Sequence, residues 1–138
     1  MTNQELFEEA KKARLQAYTP YSHFQVGAAL LTRSGKVYHG CNIENAAYTP
    51  TNCAERTAFF QAVYEGERAF EKIAIVGAKE GEEPTNVCAP CGVCRQVMRE
   101  FCSPEDFCIL LADGKGGIKE WKLRELLPCG FGPEDLGE

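Results

Sequence analysis

Cys91 and Cys94 stand at C-x2-C spacing in Pro90-Cys91-Gly92-Val93-Cys94, where a loop gives way to a helix. Cys53-Ala54-Glu55 sets a third thiol at the start of another helix. The positive end of a helix dipole favours ionised sulfur, so thiols at helix N-termini are prepared to bind metal. Soft sulfur ligands with a tetrahedral preference point to Zn2+. A structural zinc site is closed by a fourth protein ligand, whereas a catalytic one leaves that position to water. Three cysteines leave the fourth corner open, and Glu55 lies two residues from one of them. Zinc lowers the pKa of water bound to it to near neutrality, and Glu55 is placed to take the proton and pass it on.

Cys88 extends the spacing to C-x2-C-x2-C, an iron–sulfur pattern, but such a run needs a further cysteine shortly afterwards, followed by proline. The next cysteine is Cys102. The remaining readings of these residues are a pair of buried thiols, a fourth zinc ligand at Cys88, and a solvated helix-surface acid at Glu55. The pairing of Glu55 with Cys53 and the Pro-Cys-x-x-Cys unit favours the catalytic reading.

Two helices must present these groups. Helices are expected over residues 4–18, with Thr2 or Asn3 as cap, over 52–64, with Gly66 as stop, and over 92–101, closed by Ser103-Pro104. Strands are expected over 26–32 and 36–43, joined by a Ser34-Gly35 turn, and over 73–78, 107–112 and 118–121. Residues 79–86 and 113–117 read as loops, and 123–127 as a last helical turn. This alternation implies an α/β fold, a three-layer α/β/α sandwich on a mixed five-stranded sheet. The 138 residues fit one domain, 1–138. A chain this small buries a limited share of its surface, so metal, disulfides or oligomerisation is expected to add stability.

With 15 Lys and Arg against 20 Asp and Glu, the net charge is -5 and the cations are scattered. Polynucleotide binding draws on clustered cations, so no nucleic-acid partner is expected, nor an anionic membrane surface. No apolar stretch is long enough to span a bilayer, and the N-terminus lacks a signal-peptide pattern. A cytoplasmic location follows as the expectation, and with it reduced thiols.

Five segments, in order, resemble the homotetrameric cytidine deaminase family along nearly the whole chain. They are Phe24-Gln25-Val26-Gly27-Ala28-Ala29, Cys41-Asn42-Ile43-Glu44-Asn45-Ala46, Cys53-Ala54-Glu55-Arg56-Thr57-Ala58, Pro90-Cys91-Gly92-Val93-Cys94-Arg95-Gln96, and Glu125-Leu126-Leu127-Pro128 with Phe131. The resemblance implies hydrolysis of free cytidine and 2'-deoxycytidine to the uracil nucleosides with release of ammonia. It implies one zinc per subunit on Cys53, Cys91 and Cys94, with Glu55 as proton shuttle. Asn42 and Glu44 would bind ribose, Phe24 would pack on the base, and the Ala54 backbone would read the pyrimidine. Arg56 would hydrogen-bond the ligand sulfurs, where the residue alone suggests a helix-surface ion pair. Tyr48 and Phe131 would close a neighbouring subunit's site in a homotetramer.

Rival readings are a deaminase of a cytosine-containing antibiotic such as blasticidin S, a polynucleotide editor, and a non-catalytic zinc-binding module. Cys88, Cys129, His39 and the Phe59-Phe60 pair stand outside the resemblance with no assigned role. Cys102, Cys108 and Cys129 read as buried or neutral positions, and His23 as structural.

Overall fold

Thr2 caps the first helix, α1 (Asn3–Arg14), its hydroxyl accepting from the Glu5 N–H while the Glu5 carboxylate accepts from the Thr2 N–H. The structure, a computed structural model, describes residues 1–137. After α1 come β1 (Phe24–Thr32), β2 (Val37–Cys41), α2 (Ala54–Tyr64), β3 (Phe70–Lys79), α3 (Gly92–Phe101), β4 (Cys108–Ala112), β5 (Ile118–Lys122) and α4 (Leu123–Leu126). A 3-10 turn, Pro133–Leu136, follows; the sequence reading did not anticipate it.

The five strands form one sheet in the order β2-β1-β3-β4-β5. β1 runs antiparallel to both β2 and β3, β4 antiparallel to β5, and β3 parallel to β4, so the sheet is mixed as expected. Side chains alternate across a strand. Ala28, Leu30, Ile73, Ile75, Ile109 and Leu111 face α2 and α3, while Ala29, Leu31, Ala74, Val76, Leu110 and Ala112 face α1. Helices therefore cover both faces, and the three-layer reading holds.

Several boundaries differ from the sequence reading. Helix α1 stops at Arg14, short of residue 18, because the next stretch pairs elsewhere: the Tyr18 N–H donates to Asn42 O, and Tyr18 bridges Ile43. Strand β2 stops at Cys41 because Ile43 is drawn into isolated bridges with Tyr18 and Asn52. Helix α2 starts at Ala54, two residues after the expected start, with Cys53 as its N-cap. Phe59 is fully buried, its ring edge-on to Phe70 at 5.0 Å and stacked on Phe101 at 6.1 Å, which makes it a core residue. His39 pairs with Glu9 at 2.9 Å, tying β2 to α1.

The topology decides where the chemistry collects. β2 and β3 both run antiparallel to β1, so they are parallel to each other. Each is followed by a loop and then a helix on the same face, α2 after β2 and α3 after β3. The N-termini of α2 and α3 consequently lie at one end of the sheet, outside the carboxyl ends of parallel strands, where α/β folds place their ligands. Gly40 permits this packing, since a Cβ there would run into the Ala54 carbonyl and the Ala58 N–H of α2.

Candidate functional site

Cys53 is the N-cap of α2 and Cys91 the N-cap of α3, both in extended conformation, and neither helix has a side-chain cap hydrogen bond. Neither helix start is thus closed by a side-chain acceptor, in contrast to the capping box of α1. Cys94 lies one turn into α3, on the same side as Cys91. The Sγ atoms of Cys53, Cys91 and Cys94 all lie within 4.8 Å of one another, with Cys53–Cys91 at 3.9 Å and Cys91–Cys94 at 3.6 Å. Four ligands tetrahedrally placed at a Zn–S length of ~2.3 Å have sulfurs about 3.8 Å apart. Two of the three separations in the triad lie close to that value.

The electrostatics agree. Hydrogen bonds from Cys94 and then Arg56 hold the Cys53 thiol down to about 5. Its neighbour Cys94 is pushed up, chiefly by its hydrogen bond to Cys53 and then by burial. Arg56 Nη2 donates to Cys53 Sγ at 3.2 Å, and Arg56 Nε is buried without a partner among the described residues. This replaces the surface ion pair suggested by Arg56 alone.

Glu55 is 4 % exposed and shares a cavity of about 200 Å³ with Cys53, Cys91, Asn42, Ala54 and Val26. Burial pushes its carboxyl up to about 7, with the charge on Cys53 adding to the effect. A carboxyl poised near neutrality can both accept and return a proton.

Cys88 completes the wall of this cavity but lies outside the three-sulfur group, which disposes of the fourth-ligand and iron–sulfur readings. Burial first, then the Glu55 and Cys53 charges, push its thiol up to about 11. Gly77 makes room for it: a Cβ there would lie 2.5 Å from Cys88 Sγ and 3.0 Å from Phe24 Cε1. Phe24 itself is 37 % exposed and packs on this glycine.

A second cavity of about 420 Å³ holds Glu44 and Tyr48, and adjoins the first through Thr51, which lines both. The Glu44 carboxylate accepts from the Tyr21 and Ser22 N–H groups at 3.1 Å and from the Ser22 hydroxyl. These bonds, the Ser22 hydroxyl first, hold its carboxyl below the usual range. Asn42 Oδ1 accepts from Val26 N and its Nδ2 donates to Phe24 O, both at 2.9 Å. Tyr48 is 74 % exposed with φ +63.

Phe131 lines neither cavity. It is 56 % exposed and held to α3 by Gln96 Nε2 donating to its carbonyl at 2.8 Å. Among residues the sequence reading missed, Ser22 has a position but no pattern that marks it. Cys129 is exposed, while Cys102 is buried.

The family model described as "Cytidine and deoxycytidylate deaminase zinc-binding region" matches residues 1–110. The chain is 53% identical over 136 residues to a cytidine deaminase of Sporosarcina psychrophila, covering 99% of this chain and 96% of that one. It is 50% identical over 138 residues to a cytidine deaminase of Halalkalibacterium halodurans, covering all of both. The crystal structure of cytidine deaminase from Burkholderia pseudomallei superposes with a TM-score of 0.85 at 49% identity, over 95% of this chain and all of that one. That of cytidine deaminase from Mycobacterium tuberculosis does so at 0.79 and 36% identity, over 94% and 96%.

Proposed function

The chain belongs to the zinc-dependent cytidine deaminase family, and we propose that it hydrolyses free cytidine and 2'-deoxycytidine to uridine and 2'-deoxyuridine. One observation carries the reading. Glu55, 4 % exposed, faces the same small cavity as Cys53 and Cys91, so a proton-handling carboxyl and the metal-binding sulfurs meet in one enclosed space.

Cys53, Cys91 and Cys94 would hold the zinc, whose chemistry at such a site is to make water nucleophilic at neutral pH. Glu55 takes a proton from the attacking water as its oxygen bonds to C4 of cytosine, and delivers that proton to N3. The second water proton then passes through Glu55 to the amino nitrogen, and the C4–N bond breaks with its electron pair leaving on ammonia. Water is consumed, ammonia is released, and Glu55 ends as it began. The Ala54 backbone, at the open start of α2, reads the pyrimidine, and Phe24 packs on the ring.

Asn42 and Glu44 bind the ribose. Glu44, kept ionised by its hydrogen bonds, accepts from a sugar hydroxyl and repels a phosphate, which favours nucleosides over nucleotides. Tyr48 and Phe131, both exposed, close the site of a neighbouring subunit in a homotetramer. A cytoplasmic location accords with eight cysteines that are all free. No helix among the described residues is long and apolar enough to cross a membrane.

Ammonia release from cytidine, with zinc content measured on the same sample, tests the reading. Turnover of blasticidin S in preference to cytidine, or none of either with zinc fully loaded, refutes it.

A further inference from the structure

Arg14, the last residue of α1, is 5 % exposed, yet its guanidinium faces no carboxylate among the described residues. A buried charge compensated only by dipoles is costly, and an apolar side chain would fill the same space at lower cost. Its donors go instead to three backbone carbonyls. Nε donates to Gln25 O at 3.3 Å, and Nη2 donates to Ala78 O and Lys79 O, each at 3.0 Å. Gln25 lies on β1 and the other two on β3, where Gln25 pairs with Ala78 and Phe24 with Lys79. One planar fork thus bolts together the two strands at the end from which Phe24 emerges.

That end needs holding. β2 pairs with β1 only from Gly27 onward, so the start of β1 has a strand on one side alone. His23, just before Phe24, has φ +57, a conformation that persists in a non-glycine residue only when its surroundings enforce it. The enforcing bonds converge on this short stretch. Ser22 Oγ accepts from Phe24 N, Asn42 Nδ2 donates to Phe24 O, and Arg14 takes the next carbonyl along. Asn42 and the Ser22–Glu44 pair already belong to the proposed nucleoside site. Arg14 supports the same backbone from the opposite face of the sheet.

We propose that Arg14 is a positioning residue for the pyrimidine, acting from behind the sheet by fixing the β1–β3 end that aims Phe24 at the base. This rests on the reading that Phe24 packs on the base, and the experiment separates the two. Steady-state kinetics on cytidine are measured for zinc-loaded Arg14→Met and Arg14→Lys, each in the wild-type and the Phe24→Ala backgrounds, with zinc content checked throughout. Loss of the fork is expected to raise KM about tenfold with kcat within about twofold. Arg14→Lys, which keeps the charge but only a point donor, is expected to fall between, and it carries the test if Arg14→Met does not fold.

In the Phe24→Ala background the Arg14 substitutions are expected to add little, because both act on one contact. If Phe24→Ala leaves KM unchanged, the reading of Phe24 fails. If Phe24→Ala raises KM but the Arg14 substitutions raise it by the same factor in both backgrounds, or alter only thermal stability, the proposal for Arg14 is overturned.

Discussion

Arg56 Nη2 donates to Cys53 Sγ at 3.2 Å, from the third residue of α2 back to its N-cap. In α1 the same two positions are Glu5 and Thr2, and the anion reaches back to a backbone donor. In α2 the polarity is reversed: the cap atom is the anion and the third residue the cation. The pair consequently spreads sulfur charge onto a guanidinium. Arg56→Gln is expected to weaken zinc retention by about 10–100-fold, the usual cost of losing a partner behind a metal ligand. Competition with a chelator measures it, and unchanged retention would remove Arg56 from the site.

Glu55→Gln keeps the shape of the carboxyl without its basicity. Turnover is expected to drop by roughly 10³-fold or more, with zinc stoichiometry intact and KM little changed. Near-normal kcat in a zinc-replete sample would refute the proton-shuttle role.

In the metal-free protein, burial raises the Glu55 carboxyl from 4.5 to about 7. The folded state then binds more protons than the unfolded state across that window, so stability declines as pH rises from 4.5 to 7. Relative to Glu55→Gln, the metal-free wild type is expected to lose up to about 3 kcal/mol over the window and to change little beyond it. Urea denaturation of both proteins at several pH values gives the difference, and a flat or rising one contradicts the burial argument.

Cys88 and Cys91 line the same cavity, yet only Cys91 joins the sulfur triad. Cys88→Ala is expected to retain one zinc per chain, whereas Cys91→Ala loses it under dialysis. Elemental analysis distinguishes them, and parallel zinc loss in both would make Cys88 a ligand.

Gly40→Ala sets a methyl against the Ala54 carbonyl at the start of α2. Overpacking of this kind costs about 1–3 kcal/mol. A lowered Tm, accompanied by weaker zinc retention because Cys53 and Glu55 ride on the displaced helix, is the expected result. A drop in Tm with undisturbed zinc retention would mean that the helix start does not move.

The ligand triad was legible because C-x2-C is a local signal and helix starts have their own chemistry. Helix α3 matched its expected span because Pro90 and Ser103-Pro104 punctuate both ends. The end of α1 was misjudged because Leu15 and Ala17 continue a helical pattern that Tyr18 abandons for Asn42 and Ile43, a pairing remote in sequence. Asn42 and Glu44 were named from resemblance alone, but the bonds that hold them, from Val26 and Ser22, come from another segment of chain. Cys88 stayed unassigned because its neighbours Gly77 and Phe24 belong to different strands, and no spacing rule reports such a meeting.

Cys53 rides on the crossover after β2, and Cys91 and Cys94 on the one after β3. A chain halted at the end of β3 therefore owns one of the three triad sulfurs and no grip on an ion. Zinc can be captured only once both crossovers have closed on the same side of the sheet, so its binding energy rewards the completed topology and withholds support from partly built or misthreaded ones. The ion thereby serves as a late inspector of assembly.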